Sequence, residues 1–217
     1  MLADRYWISP PCSVTAADDK AHQLIRAQQY GLQVPKTILT TNPAAIYDLL
    51  DRSGPFLVAK RLSLPTVGEP IAYTTELHRE TVDLYHSDFK YCPTLFQERI
   101  PKLVDIRVAV IHDAIFAVEI HSQENIKTKV DWRRTPITNL RCLPHHLPKH
   151  VRDALVSLTA SYGLRYSAPD LILTPRGDYF FLELNPNGQW AWMESLTSLP
   201  ITARLVDVLI TQPSIST

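Results

Sequence analysis

The sequence predicts an α+β fold, and three observations carry that prediction. Apolar residues recur at helical spacing in 18–30, 43–53 and 151–162. The runs TLFQERI, LVDIRVAVI and IFAVEIH, within 94–121, are rich in β-formers and joined by links too short for crossover helices, so they pair antiparallel. In DLILTPRGDYFFLEL, two apolar runs flank the turn signal Pro175-Arg176-Gly177-Asp178, which reads as a β-hairpin. Helices mixed with antiparallel strands define the class.

Residues 1–17, with Pro10-Pro11, read as an extended lead-in. In Asp18 to Tyr30, Ala21, Leu24 and Ile25 share a helical face and Gly31 suits the position just past the helix end. Asn42-Pro43 is an N-cap followed by proline in the first turn, and Ser53-Gly54-Pro55 stops that helix. FLVAKRL (56–62) is a strand, SLPTVGEP (63–70) a loop, IAYTT a returning strand, and Glu76 to Tyr91 a stretch of weak helical character. Residues 122–147 read as one long irregular excursion, of the kind that is functional or disordered. Val151, Ala154, Leu155, Leu158 and Tyr162 line a helix, and a last helix follows Ser198-Leu199-Pro200.

Composition sets bounds on function. A chain of 217 residues fits one large domain or two small ones. Its formal charge is zero, which removes any bulk electrostatic case for nucleic acid or an anionic membrane. No apolar run is long enough to span a bilayer and no signal peptide opens the chain, so the cytoplasm is the expected location. The three cysteines are scattered and expected to be free thiols. His145, His146 and His150 lack a metal-ligand pattern and read as a solvated loop and helix start.

The residues suited to chemistry are charges on strands. With Arg176-Gly177 at the hairpin tip, Thr174 pairs with Tyr179 and Asp170 with Glu183. Like charges opposite one another destabilise a ladder, and a divalent cation between them removes the conflict. Asn185 shares their face, so Asp170, Glu183 and Asn185 form an all-oxygen set that suits Mg²⁺ beside phosphates; an edge hairpin with its acids in water is the plainer alternative. Lys60 shares a face with Phe56 and Val58, where it either snorkels to solvent or meets an anion. In LVDIRVAVI the β-branched face of Val104, Ile106, Val108 and Val110 must be core, and Asp105 and Arg107 lie opposite. An odd-numbered link at 112–114 would add Glu119 and His121 to that polar face, unless the face is merely solvated. Asp131-Trp132-Arg133-Arg134 offers planar cations for a phosphate or carboxylate. No GxxxxGK[ST] or GxGxxG motif occurs and there are six glycines, so a phosphate site must rest on lysine, arginine and metal.

Lys60 on a strand, FQERIPKLVDIRV, the spacing of Asp170, Glu183 and Asn185, and LELNPNGQWAW together resemble the ATP-grasp superfamily. Within it, YWISPP, LFQERIPK, IHSQ, VDWR, NPNGQWAWME and TSLPI are similar to the ligases that install side-chain ester and amide rings in graspetides, the microviridin-like ribosomal peptides. The resemblance runs from about Trp7 to the last helix. It implies an ATP-grasp fold, two α+β subdomains gripping ATP between antiparallel sheets. Residues 18–217 would form that domain, with about 56–96 a small lid-like subdomain and 97–217 the C-terminal metal and ATP subdomain. It also implies that Glu98 and the backbone at Ile100 meet adenine, that Asp105 reaches the ribose, and that Lys20 and Lys60 hold phosphates. Arg107 and Arg133 would stabilise an acyl phosphate, and Asp170, Glu183 and Asn185 would bind Mg²⁺.

The implied activity is ATP-dependent activation of Asp or Glu side chains of a ribosomal precursor peptide, followed by attack of Thr, Ser or Lys side chains. A ligase adding free amino acids to a peptide or protein, and a nucleotide- or peptide-binding module without catalysis, are the rivals. The family pattern places an N-terminal domain ahead of the WxxPP-like segment. Its expected absence here leads to a further expectation, a homodimer or partner chain in its place. The chain departs from the pattern at Ser198, where glycine is usual, and at Pro169, where a larger apolar residue precedes the metal aspartate.

Overall fold

The computed structural model describes residues 6–60, 62 and 73–211, so the loop expected at 63–70 and the start of the returning strand lie outside the described residues. The remaining elements follow the α+β expectation. In order they are α1 (Pro11–Ala17), α2 (Lys20–Gln29), β1 (Thr37–Thr40), α3 (Pro43–Ser53), β2 (Phe56–Lys60), β3 (Thr75–His78), α4 (Arg79–Tyr85) and β4 (Thr94–Glu98). Then come β5 (Val104–Ile111), β6 (Ala114–Ile120), β7 (Cys142–His145), α5 (Lys149–Ser161), β8 (Tyr166–Leu173), β9 (Tyr179–Asn185), α6 (Ala191–Thr197) and α7 (Ile201–Ile210). They build two antiparallel sheets, one ordered β1-β4-β2-β3 and the other β7-β6-β5-β8-β9.

The five-stranded sheet is covered on one face by α2 and α5, whose Leu24, Ala27, Leu155 and Leu158 pack on Val104, Ile106, Val108 and Val110. Its other face is divided. One half packs Ala109, Ile111, Val118 and Ala168 against Met193 of α6 and Ile201 and Val208 of α7. The other half carries Asp105, Arg107 and Asp170 and faces the four-stranded sheet, which keeps its own core of Ile46, Leu49, Leu57, Leu77 and Phe96. Every residue of β5 is buried, the two charges included.

Several local expectations are corrected. The lead-in is not simply extended: α1 forms over Pro11–Ala17 with a proline in its first turn, and Ala17 is fully buried. The excursion at 122–147 is more regular than expected, with short 3-10 turns at Ser122–Glu124, Trp132–Arg134 and Ile137–Asn139, and with β7 as an edge strand. The link between β5 and β6 is the two-residue turn His112-Asp113, with Ile111 opposite Ala114, so Glu119 faces Ile106 on the helix-covered side. An even turn therefore removes the polar stripe of Asp105, Arg107, Glu119 and His121. Glu119 instead accepts hydrogen bonds from His121 Nε2 at 2.9 Å and His145 Nδ1 at 2.8 Å. His145 also meets the Tyr179 hydroxyl at 2.9 Å, which takes it out of the solvated loop expected for it, whereas His146 and His150 are exposed.

The hairpin register holds at one end only. Asp170 does pair with Glu183, but Leu173, not Thr174, faces Tyr179. The tip is one residue wider than a two-residue turn: Gly177 N donates to Thr174 O, Thr174 N donates to Asp178 O, and Gly177 takes φ 89°. A β-bulge between the 170 and 171 positions, with Leu182 as the extra residue of β9, restores the register at the acid pair.

Edge strand β9 is held from the helix side. Gln23 of α2 donates from Nε2 to Leu184 O at 2.8 Å and accepts at Oε1 from Leu184 N at 2.8 Å, so one side chain serves as a strand partner. Phe181 N also donates to Gln33 O at 2.8 Å. Gln23→Ala removes both bonds to a buried backbone amide, and is expected to cost about 2–4 kcal/mol in urea unfolding at unchanged m-value. A loss under about 0.5 kcal/mol would show that solvent satisfies Leu184 instead.

Candidate nucleotide and metal site

A cavity of about 330 Å³ lies between the two sheets. Its wall includes Lys20, Lys60, Glu98, Ile100, Asp105, Arg133, Asp170, Glu183 and Asn185. Nine of the ten residues singled out in the sequence thus converge, and Arg107 stands directly behind Asp170.

The acid pair organises the center of this wall. Glu183 Oε2 lies 2.9 Å from Lys20 Nζ, at the first residue of α2. Burial alone would raise the Glu183 carboxyl, but Lys20 and Lys60 outweigh it and bring the pKa down to about 2. Asp170 is treated differently. Burial dominates there, Arg107 opposes it, Glu183 adds to it, and the carboxyl is pushed up to about 6. Lys60 ends β2 and is drawn below its usual range, by burial first, with Glu183 opposing. It lines the cavity rather than snorkelling away.

Arg107 is 8% exposed. It donates from NH1 to Ala168 O at 3.0 Å and lies 3.2 Å from Asp170 Oδ2. Asn185 Nδ2 donates to the same carbonyl and to Asp170 Oδ2, each at 3.1 Å. The Ala168 carbonyl receives both groups where the β5–β8 pairing lapses between Asp170 and Ser167. Pro169, in that gap, has no N–H to give to the ladder. Arg107 Nε is buried with no hydrogen-bond partner among the described residues. Its guanidinium lies 5.7 Å from the Trp132 ring, and Trp132 in turn lies 5.7 Å from Trp192.

Arg133 is placed by Asp131, which accepts its Nε at 2.9 Å and its NH2 at 2.6 Å. Asp131 also accepts the Thr74 backbone N–H at 2.9 Å, tying the excursion to the four-stranded sheet. Asp105 accepts from Lys102 Nζ at 2.9 and 2.8 Å, and both side chains are under 10% exposed. The Glu98 carboxylate accepts Lys36 N at 2.9 Å, and Glu98, Arg99 and Ile100 follow one another along the cavity wall. Sequence reasoning missed Lys102, Asp131 and Trp132 as parts of the site. Lys102 had a signal, since a lysine three residues before a buried strand aspartate is a local ion-pair spacing.

Gly188, in the NPNG turn, is a close-approach glycine. A Cβ there would sit 2.3 Å from Ala168 Cβ, 3.0 Å from Asn185 Cβ and 3.4 Å from Arg107 NH1. Ser198, where the family pattern has glycine, caps α6 in the left-handed region at φ 58°. That conformation explains a preference for glycine at the position.

One interlayer cleft thus brings together Asp170, Glu183 and Asn185 with Lys20, Lys60 and Arg133, and the chain has the ATP-grasp fold. Among solved structures it is similar to the macrocyclase MdnC of Microcystis aeruginosa MRC, bound with precursor peptide MdnA. The identity is 32% and the TM-score 0.81, over 94% of this chain and 64% of that one. A Chryseobacterium gregarium RiPP-associated ATP-grasp ligase, in complex with ADP and a leader and core peptide, matches at 27% identity and TM-score 0.86, over 97% of this chain and 65% of that one. The ATP-grasp ligase PsnB, complexed with a phosphomimetic variant of minimal precursor, Mg and ADP, matches at 26% identity and TM-score 0.73, over 91% and 59%. The chain therefore spans about three fifths to two thirds of the length of these structures. No protein-family model and no curated protein matches the sequence. Among the described residues no helix is long and apolar enough to cross a membrane.

The opposed shifts of the acid pair give opposite stability effects. Asp170, raised to about 6, makes the fold less stable as pH rises from its unfolded value near 4 through 6. Asp170→Asn is expected to be more stable than the parent at pH 7, by up to roughly 3 kcal/mol, with the gain fading toward pH 4. Glu183, lowered to about 2, contributes stability that is present above its unfolded pKa near 4.5 and lost as pH falls toward 2. Glu183→Gln is therefore destabilising at pH 7. Thermal melts of both variants across pH 3–8 read the signs, and two variants shifting in the same direction would refute the assigned division of charge.

Proposed function

We propose that this chain binds Mg·ATP between its two sheets and uses it to activate a side-chain carboxylate of a peptide for ring closure. The observation that carries the proposal is the convergence of Lys20, Lys60 and Arg133 with Asp170, Glu183 and Asn185 on one cavity wall. The cocrystallised ligands of the similar structures, precursor peptides, ADP and Mg, support it.

In the proposed site, the backbone at Glu98 and Ile100 faces adenine, Asp105 accepts from the ribose, and Lys20 and Lys60 hold phosphates. Asp170, Glu183 and Asn185 fit a hard cation, because two carboxylates forced together in a ladder gain a common counter-charge. Bound there, Mg²⁺ would neutralise phosphate charge. A peptide carboxylate oxygen attacks the γ-phosphorus, the bond to the bridging oxygen breaks, and ADP departs. A Thr or Ser hydroxyl, or a Lys amine, then attacks the acyl carbon. Phosphate leaves with the bonding pair and takes up the nucleophile's proton. Arg133 on the wall, and Arg107 behind it with one unpartnered N–H, supply positive charge for the acyl phosphate. No covalent nucleophile of the protein is needed.

Ester or amide rings from Asp or Glu with Thr, Ser or Lys are the proposed products. The precursor is a ribosomal peptide and the location is cytoplasmic. A homodimer or partner chain against exposed Val206, Leu209 and Ile210 of α7 belongs to the same proposal, and light scattering reads it.

Lys60→Met keeps most of the buried stem and loses the cation. ATP affinity by calorimetry is expected to fall at least tenfold, roughly 1.4 kcal/mol, with Tm held or raised because an unfavourably buried charge is gone. Equal affinity for both proteins would remove Lys60 from the phosphate site. Failure of the parent chain to bind Mg·ATP would refute the proposed function as a whole.

A further inference from the structure

Beside the nucleotide cavity runs a second groove, of about 430 Å³, lined by Thr74, Glu76, Ile126, Lys127, Val130 and Arg134. Thr74 and Val130 belong to both, so they form a common wall between groove and cavity. The segment NIKTKVDWRR, residues 125–134, carries four cations against one acid in a chain of zero formal charge. These cations are sorted. Lys129 and Arg133 line the cavity, while Lys127 and Arg134 line the groove.

The sorting is built into the backbone. Thr128, between the two lysines, is fully buried and its hydroxyl donates to Ser122 O at 2.7 Å and Asn125 O at 3.0 Å. Gln123 Nε2 donates to Lys129 O at 3.1 Å. Arg134 is held against the four-stranded sheet, 4.9 Å from the Tyr73 ring and donating to Thr74 O at 3.3 Å. Glu76 is the one acid in the groove, and its carboxylate is matched by Arg99 Nε at 2.5 Å. Lys127 has no ion-pair partner among the described residues, and neighbouring Ile126 is 82% exposed. A large aliphatic residue held in water beside two cations suits a chain with both apolar and anionic side chains.

We infer that this groove docks an acidic segment of the peptide substrate, an assignment that rests on the ligase function proposed above. A carboxylate side chain of the docked peptide pairs with Lys127 and Arg134, an apolar one covers Ile126 and Val130, and the adjoining residues pass over the Thr74–Val130 wall to the cavity. Lys127 and Arg134 thereby select acidic sequences without touching the nucleotide.

The test uses a short fluorescein-labelled peptide alternating Thr and Glu, with a Val in it, and the same peptide with Gln for Glu. Anisotropy at low salt is expected to give the Glu peptide at least tenfold tighter binding than the Gln peptide, with the preference shrinking as salt screens it. Lys127→Glu should remove most of that preference and Lys127→Glu/Arg134→Glu all of it, while ATP affinity on the same samples stays unchanged. Lys127 is exposed and not part of the packed core, so the single variant keeps the test open if the double variant misfolds. Survival of the preference in Lys127→Glu, or equal binding of the two peptides by the parent, overturns the inference. Tighter binding of a single-stranded oligonucleotide than of the Glu peptide overturns the choice of partner. Absence of Mg·ATP binding by the parent is a separate failure, that of the ligase function.

Discussion

Two carboxylates lie side by side on adjacent strands, and most of the site is arranged around that repulsion. Asp170 and Glu183 face each other across the β8–β9 ladder. Left alone they would push the hairpin apart. Three elements answer the pair, each with a cation set by its own backbone geometry: Lys20 by the start of α2, Lys60 by the end of β2, Arg107 by the middle of β5. The cations are not shared evenly. Lys20 and Lys60 favour Glu183, and Arg107 is left to Asp170, so one acid stays ionised and its neighbour keeps a proton more readily.

This arrangement needs a sheet face that is half dry and half open. Helices α6 and α7 bury Ala109, Ile111 and Ala168, and a few residues along the same strands Arg107 and Asp170 meet the cleft. The seam between the halves is filled by Trp132 and Trp192 and by the NPNG turn, where Gly188 lets backbone press on Ala168. A low-dielectric boundary runs beside the charges, which strengthens each pairing and raises the cost of any group left without a partner. Arg107 Nε is such a group.

The parts of the fold governed by local pattern were legible in the sequence. The α3 cap at Asn42, the apolar face of β5 and the glycine after α2 all follow from periodicity and capping. The short β1 and the edge strand β7 were not, because four residues with mixed exposure carry no usable alternation. The side of Glu119 could not be read either, since it depends on the parity of a turn in which His112 adopts φ 57° against its usual preference. For the site, charged residues inside apolar strands were conspicuous, and the resemblance supplied their grouping. Lys102 was overlooked although its spacing to Asp105 is local, and what the fold alone adds is the distant partner of each: a backbone carbonyl at Val130 for Lys102, the Thr74 amide for Asp131.

The bulge at Leu182 has an evolutionary reading. Removing that residue would leave Phe181 opposite Leu171 and Glu183 opposite Asp170, an unbroken ladder. The register of the acid pair is thus insensitive to the loss of this one residue of its own strand. What such a deletion would take away is the apolar side chain of Leu182, which lines the cleft. Descendants could remodel that stretch of the cleft wall by losing a single codon, with the acid pair carried through unchanged.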